Sequence, residues 1–290
     1  MANIKELKKQ IKSVKGTLKI TTAMKLVSAA KLNRAQHAIQ SSRPYASELE
    51  DTIKVVSALV QNYSHPYLEE KKENNRSALL LITSNKGLCG NYNSALSKEV
   101  RKIIKNNSGE EFKVYFIGKK GRDLLKNDVN QGKFYTFKKA DPTFQEIQEV
   151  AKELGELFNS GEYGKIYVAY NSFKSAISFD TTVKQVLPMS MDLEVKEDLK
   201  KNFPFDFKYE PAPSEILNSL IPETYISSVY TAFLDAVASE HGSRMSAMDS
   251  ASKNCKEAIR SLTLKMNKMR QAKITTELIE IISGAESLNA

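Results

Sequence analysis

Few residues in this chain have the types and spacing to do chemistry. The turn Asn85-Lys86-Gly87-Leu88-Cys89-Gly90-Asn91 stands where doubly wound folds bind phosphates. It carries neither GxGxxG nor the GxxxxGK[ST] of a phosphate loop, so a structural turn is expected there. Cys89 would need a positioned histidine and a depressed pKa to act as a nucleophile. The sequence supplies neither, and a packing role is expected. His37, His65 and His241 are isolated, and no HExxH, CxxC or EF-hand spacing occurs, so no metal site is expected. Asp and Glu fall mostly among lysines at helical spacing, which reads as solvated pairs. No catalytic residue and no cofactor are expected.

One stretch is richer. Lys268-Met269-Arg270-Gln271-Ala272-Lys273-Ile274-Thr275-Thr276-Glu277-Leu278 sets Arg270, Gln271, Thr275 and Glu277 where the apolar seam of a long helix changes phase. These groups form either a polar break in a coiled coil or a latch to polar loops of a surrounding partner.

The elements that position these residues are long. The first 43 residues lack proline, and 68 residues follow Pro222 without another. At 1.5 Å per residue, such helices reach on the order of 60 to 100 Å, beyond what a core of this size needs. Ile4, Leu7, Ile11, Val14 and Leu18 alternate by three and four, as in a coiled-coil seam. From Ile20 to Ala30 small and apolar residues spread round the helix, so this part should be enclosed on several sides. Pro44 permits a kink, with helix continuing to about Val60. At the other end Met245, Ser252, Ile259 and Met266 fall at one heptad position, and Met248, Cys255, Leu262 and Met269 at another. Ile274, Leu278, Ile281, Ala285 and Leu288 then form a shifted stripe, which turns toward a different neighbour.

The middle alternates strand and helix. Strands are expected at 77–84, 112–118, 134–137, 165–170 and 178–187, with helices at about 92–105, after Gly118 and at 143–158. That pattern argues for a largely parallel sheet covered on both faces. The expected organisation is an N-terminal coiled-coil helix (1–60), a Rossmann-like α/β domain (76–190), an irregular link (191–221) and a C-terminal coiled-coil helix (222–290). The fold class is thus α/β, with a long antiparallel coiled coil of the two terminal helices.

Charge follows this division. Of the net +9, residues 1–34 contribute nine Lys/Arg against Glu6, and residues 244–273 contribute eight against Asp249 and Glu257. The middle is slightly acidic. Basic helices suit an acidic protein partner or nucleic acid. They also lack the aromatic-interleaved basic patch or helix-turn-helix of a nucleic-acid binder. The missing glycine fingerprint argues against a dinucleotide-dependent enzyme. No run of about 18 uncharged apolar residues is present, and no secretory leader is expected. Cys89 and Cys255 read as free thiols in a reducing compartment.

The stretch KITTAMKLVSAAKLNRAQ with SRPY, the turn GLCG, the segment YEP, SEHGSRMSAMDSASKN and the end RQAKITTELIEIISGA, in this order, resemble the gamma subunit of the F-type ATP synthase, the rotor shaft of its central stalk. The resemblance covers essentially the whole chain. It implies a non-catalytic shaft that carries ion-driven rotation of a membrane ring to the catalytic sites of an alpha/beta hexamer. The implied partners are the alpha and beta subunits, epsilon and the c-ring. No nucleic acid is implied, and membrane contact is implied only through partners. By the same resemblance Met24 and Lys25 lie near acidic levers of beta, and Arg244 on the partner-facing helix. Arg270, Gln271, Thr275 and Glu277 belong to a latch for beta loops, and Tyr209 and Glu210 to the foot, toward epsilon and the ring. The turn NKGLCGN departs from the family's more usual acidic-Arg start. The cysteine pair inserted in the plant chloroplast version is absent, so thiol regulation is not expected. A bacterial enzyme on the cytoplasmic face of the cell membrane is expected. The alternative is a basic coiled-coil nucleic-acid-binding or scaffold protein.

Overall fold

The computed structural model describes residues 4–59, 63–71, 73–137, 142–189 and 210–289. In chain order these form α1 (Ile4–Leu59), β1 (Arg76–Ile82), α2 (Tyr92–Asn106), β2 (Glu111–Ile117), α3 (Lys119–Leu125), β3 (Asn130–Tyr135), α4 (Phe144–Asn159), β4 (Lys165–Ser175), β5 (Ser178–Leu187) and α5 (Pro213–Asn289). The chain divides into two compact units. One comprises Met1–Ser28 with Arg244–Ala290, the other Ala29–Ser243.

The larger unit is built on a five-stranded sheet in the order β3-β2-β1-β4-β5. β1 pairs parallel with β2 and β4, and β2 pairs parallel with β3. β5 returns antiparallel on β4 through a tight hairpin. Side chains alternate across a strand, so β1 serves two cores at once. Ala78, Leu80 and Ile82 face one cluster with Ile147, Val150 and Leu154 of α4. Leu79 and Leu81 face another with Leu96 and Val100 of α2. Both faces are therefore covered, which explains the nearly unbroken apolar run of this strand.

Local chemistry starts and joins these elements. Thr143 and Glu146 form a reciprocal capping box at the start of α4, satisfying two amide donors that the first helical turn leaves open. Gly118 has φ of 98° and sits so close to β1 that a Cβ would lie 2.0 Å from the Thr83 carbonyl oxygen. Thr83 Oγ1 donates to the Ile117 carbonyl at 3.2 Å and accepts from the Gly121 amide at 2.9 Å. This ties the end of β1 to the β2–α3 turn.

The terminal helices depart from the expected boundaries in one place. Residues 213–221, expected as irregular link, are the first turns of α5, which contains Pro222. Proline in a helix interior costs roughly 3 kcal/mol. Here Leu217, Ile221, Tyr225 and Val229, spaced by four, are fully buried in the sheet's core cluster, and that packing outweighs the lost hydrogen bond. Pro44 likewise lies within α1 without ending it. Ile53 and Val56 of α1 join the same cluster, so 29–59 and 213–243 belong to the sheet unit and not to a free-standing rod. Residues 190–209, most of the expected link, lie outside the described residues.

Candidate functional site

The smaller unit pairs the start of α1 with the far part of α5. Leu7 and Ile11 are buried, and Ile4, Val14 and Leu18 are partly so. On α5, Met248 and Ser252 are buried and Met245, Cys255, Ile259, Leu262, Met266 and Met269 are half-covered. Polar contacts pin the pair. Ser252 Oγ donates to Thr21 Oγ1 at 2.8 Å, and Lys25 Nζ lies 2.6 Å from Asp249 Oδ1. As the α1 number rises from 21 to 25, the α5 number falls from 252 to 249, so the helices run antiparallel. Lys253 adds a second ammonium to Asp249 at 3.0 Å. The hydrogen bonds from Lys25 and then Lys253 lower the Asp249 pKa to about 2. A buried hydroxyl pair beside an ion pair favours one register over its slipped alternatives, because a slip would take from Ser252 its acceptor, while Thr21 keeps its bond to the Leu18 carbonyl at 3.1 Å.

Continuing that register brings Ile4 level with about residue 269, where the coverage ends. Every residue from Arg270 to Ala285 is exposed, including Ile274, Leu278, Ile279, Ile281 and Ile282. From Ile274 to Ala285 the phase-shifted stripe thus has no cover from the described residues of its own chain.

The residues singled out from sequence distribute unevenly. Arg270, Gln271, Thr275 and Glu277 sit together on two exposed turns of α5. Thr275 Oγ1 donates to the Gln271 carbonyl at 3.0 Å, and Glu277 lies 3.4 Å from Lys273 Nζ. Met24 and Lys25 are half-buried beside the seam, with Lys25 engaged by Asp249. Arg244, expected on a partner-facing helix, is only 7% exposed, so its side chain is not a surface group. Glu210 is exposed, and Tyr209 lies outside the described residues. Cys89 is 2% exposed, its sulfur held by Asn93 Nδ2 at 3.2 Å and Ser84 Oγ at 3.7 Å. That is a packed turn, closed by Leu88 and Gly90 at positive φ.

Within Ile20–Ala30, the stretch expected to be enclosed on several sides, Ile20, Leu26 and Val27 are exposed in the chain by itself, so its one helix partner covers only one side of this segment. The signal was its apolar periphery, which a two-helix seam cannot bury all round.

Helices paired through a seam and pinned at its polar positions, ending in an uncovered apolar stretch, define a protein of the helical-stalk class. Comparison with known proteins narrows this. A family model described as ATP synthase matches residues 3–288. The ATP synthase gamma chain of Geobacter sp. (strain M21) is 41% identical over 290 residues, covering 99% of each chain. That of Bdellovibrio bacteriovorus is 40% identical over 294 residues, again covering 99% of each. Among solved structures, a chain of the central stalk and c-ring of Tetrahymena thermophila mitochondrial ATP synthase superposes with TM-score 0.58. It is 27% identical and covers 80% of this chain and 99% of that one. A chain of Euglena gracilis mitochondrial ATP synthase gives TM-score 0.67 at 19% identity, covering 98% and 94%, and shares the fold. The chain belongs to the ATP synthase gamma chain family. Its role is that of a rotor shaft in the central stalk of an F-type ATP synthase, a rotary enzyme complex, and not that of a nucleic-acid-binding coiled coil.

Proposed function

We propose that this chain is itself non-catalytic and transmits torque between a c-ring and an alpha/beta hexamer. The observation that carries the reading is the run Arg270–Ala285, sixteen helical residues exposed without exception although five are large and aliphatic. Isolated helical stretches of this length are marginal in water, and their apolar side chains favour a sleeve that surrounds them. In this reading the hexamer supplies the sleeve. Arg270, Gln271, Thr275 and Glu277 meet its polar loops, Met24 and Lys25 its acidic levers, and Arg244 steadies the helix that faces them. Tyr209 and Glu210 meet epsilon and the ring. Contacts between exposed ions contribute little each, about 0 to 1 kcal/mol, which suits an interface made and broken in each turn. No helix among the described residues is long and apolar enough to cross a membrane. The chain then associates with the cytoplasmic face of a bacterial cell membrane through its partners, and nucleic acid is not among them.

Reconstitution tests this. The isolated chain should not hydrolyse ATP, and adding it to alpha and beta subunits should yield hydrolysis coupled to rotation of a probe fixed to the sheet unit. Turnover by the isolated chain that survives removal of contaminating subunits would contradict the non-catalytic reading. Rotation-free hydrolysis of the reconstituted complex would contradict the shaft reading.

A further inference from the structure

A cavity of about 100 Å³ lies within the sheet unit, between α5 and the β4–β5 hairpin strands, with Ala46 of α1 at its side. Its polar lining is Thr224, Ser227, Ser228 and Thr231 from one face of α5, with Tyr170 and Lys184 from the strands. Val168 pairs with Lys184 across the strands, which sets the lysine stem at the cavity wall while the residue remains exposed.

Two of these hydroxyls behave unusually. A threonine within a helix commonly bonds back to the carbonyl four residues earlier. Thr22, Thr263, Thr275 and Thr276 of this chain do so, at 2.7–3.0 Å. Thr224, only 5% exposed, and Thr231 make no such bond, and their buried hydroxyls find no partner among the described residues. Leaving a buried hydroxyl unpaired costs about 1–3 kcal/mol, so two on one cavity wall point to something that occupies it.

We propose that this cavity binds a small inorganic oxyanion such as phosphate. The lining offers hydroxyl donors and the cationic Lys184, and none of the described lining residues carries a carboxylate. Tyr170 remains a donor, since burial and then the Asp235 carboxylate push its pKa above the ordinary phenol value. Asp235 is not among the lining residues; its Oδ2 accepts from the Ser172 hydroxyl at 3.2 Å, while its Oδ1 is buried without a partner among the described residues. A donor-rich wall with a cation suits an anion most of whose oxygens accept, and hydroxyls can also take the one proton it keeps; burying an anion is tolerable where a cation and hydrogen bonds compensate it. Size excludes a nucleotide, since sites for ligands of that class run to roughly 300–1,000 Å³. This site does not depend on the shaft reading.

Calorimetric titration of the full chain with inorganic phosphate, at constant ionic strength, tests the proposal. Saturable binding of one phosphate per chain is expected. It should weaken about tenfold in Lys184→Gln and in Thr224→Val, which remove a charged and a neutral donor, with circular dichroism unchanged. Lys184 is exposed, so its variant keeps the fold. No saturation, or affinity unchanged in both variants, would overturn the proposal. So would a high-resolution structure from phosphate-grown crystals with only ordered water in the cavity.

Discussion

Replacing Ile274, Leu278 and Ile281 together by Gln separates a partner-facing surface from a self-packed one. These side chains are 50%, 53% and 71% exposed, and Gln keeps good helix propensity. In the isolated chain nothing large is lost, because surface substitutions usually stay within about 0.5 kcal/mol each. The melting temperature should therefore hardly move. Full burial of a Leu or Ile side chain is worth about 1.5–3 kcal/mol. Covering the half or more that is open here contributes about 1 kcal/mol per residue, so about 3 kcal/mol for the three. That corresponds to a loss of about a hundredfold in affinity for the hexamer, at 1.4 kcal/mol per tenfold. The two readouts are thermal unfolding of the isolated chain and titration of labelled chain into alpha/beta hexamer. A fall in melting temperature comparable to a core truncation, about 2–5 kcal/mol, would show that the stripe packs within the chain. Unchanged hexamer affinity would remove the sleeve.

Gln271→Ala and Thr275→Ala should leave the isolated chain's melting temperature nearly unchanged yet lower coupled ATP synthesis, because charge-assisted bonds across a partly dry interface reach about 1.5–3 kcal/mol; parental synthesis in both would leave only a polar phase break. Gly118→Ala should destabilise the sheet unit by more than about 1 kcal/mol, combining positive φ with a clash on the Thr83 carbonyl; a denaturation midpoint equal to the parent's would refute that packing. The depressed Asp249 pKa means its ion pairs contribute stability above the ordinary carboxylate value of 3.8, and that contribution is lost as pH falls toward about 2. Carboxyl carbon NMR should place the Asp249 midpoint near 2, moving up toward 3.8 in Lys25→Gln; a midpoint already at 3.8 in the parent would show that the pair does not form.

Much of this molecule was legible before any coordinate. Period-2 and period-3.6 patterns depend only on which side of a strand or helix meets water. They therefore located both seams, down to Leu7, Ile11 and Met248, while β3, expected at 134–137, lies at Asn130–Tyr135, an edge strand whose Asn130, Gln131 and Gly132 carry no apolar signal. The glycines of Gly87-Leu88-Cys89-Gly90 likewise marked the turn in which Cys89 is packed. Pro222 misled as a helix start, because local propensity cannot weigh one lost hydrogen bond against the burial of Leu217, Ile221 and Tyr225. Only the tertiary structure decided that the sheet claims 29–59 and 213–243. The same holds for Arg244, which is covered, while Ile20, Leu26 and Val27 are left open. Periodicity names the apolar faces of a helix but not which neighbour, if any, reaches them. That is settled by how far the opposite helix reaches: among the described residues, nothing covers α5 after Met269. The cavity walled by Thr224 and Thr231 is likewise a property of how α5 lies on β4 and β5, and no spacing along the chain announces it.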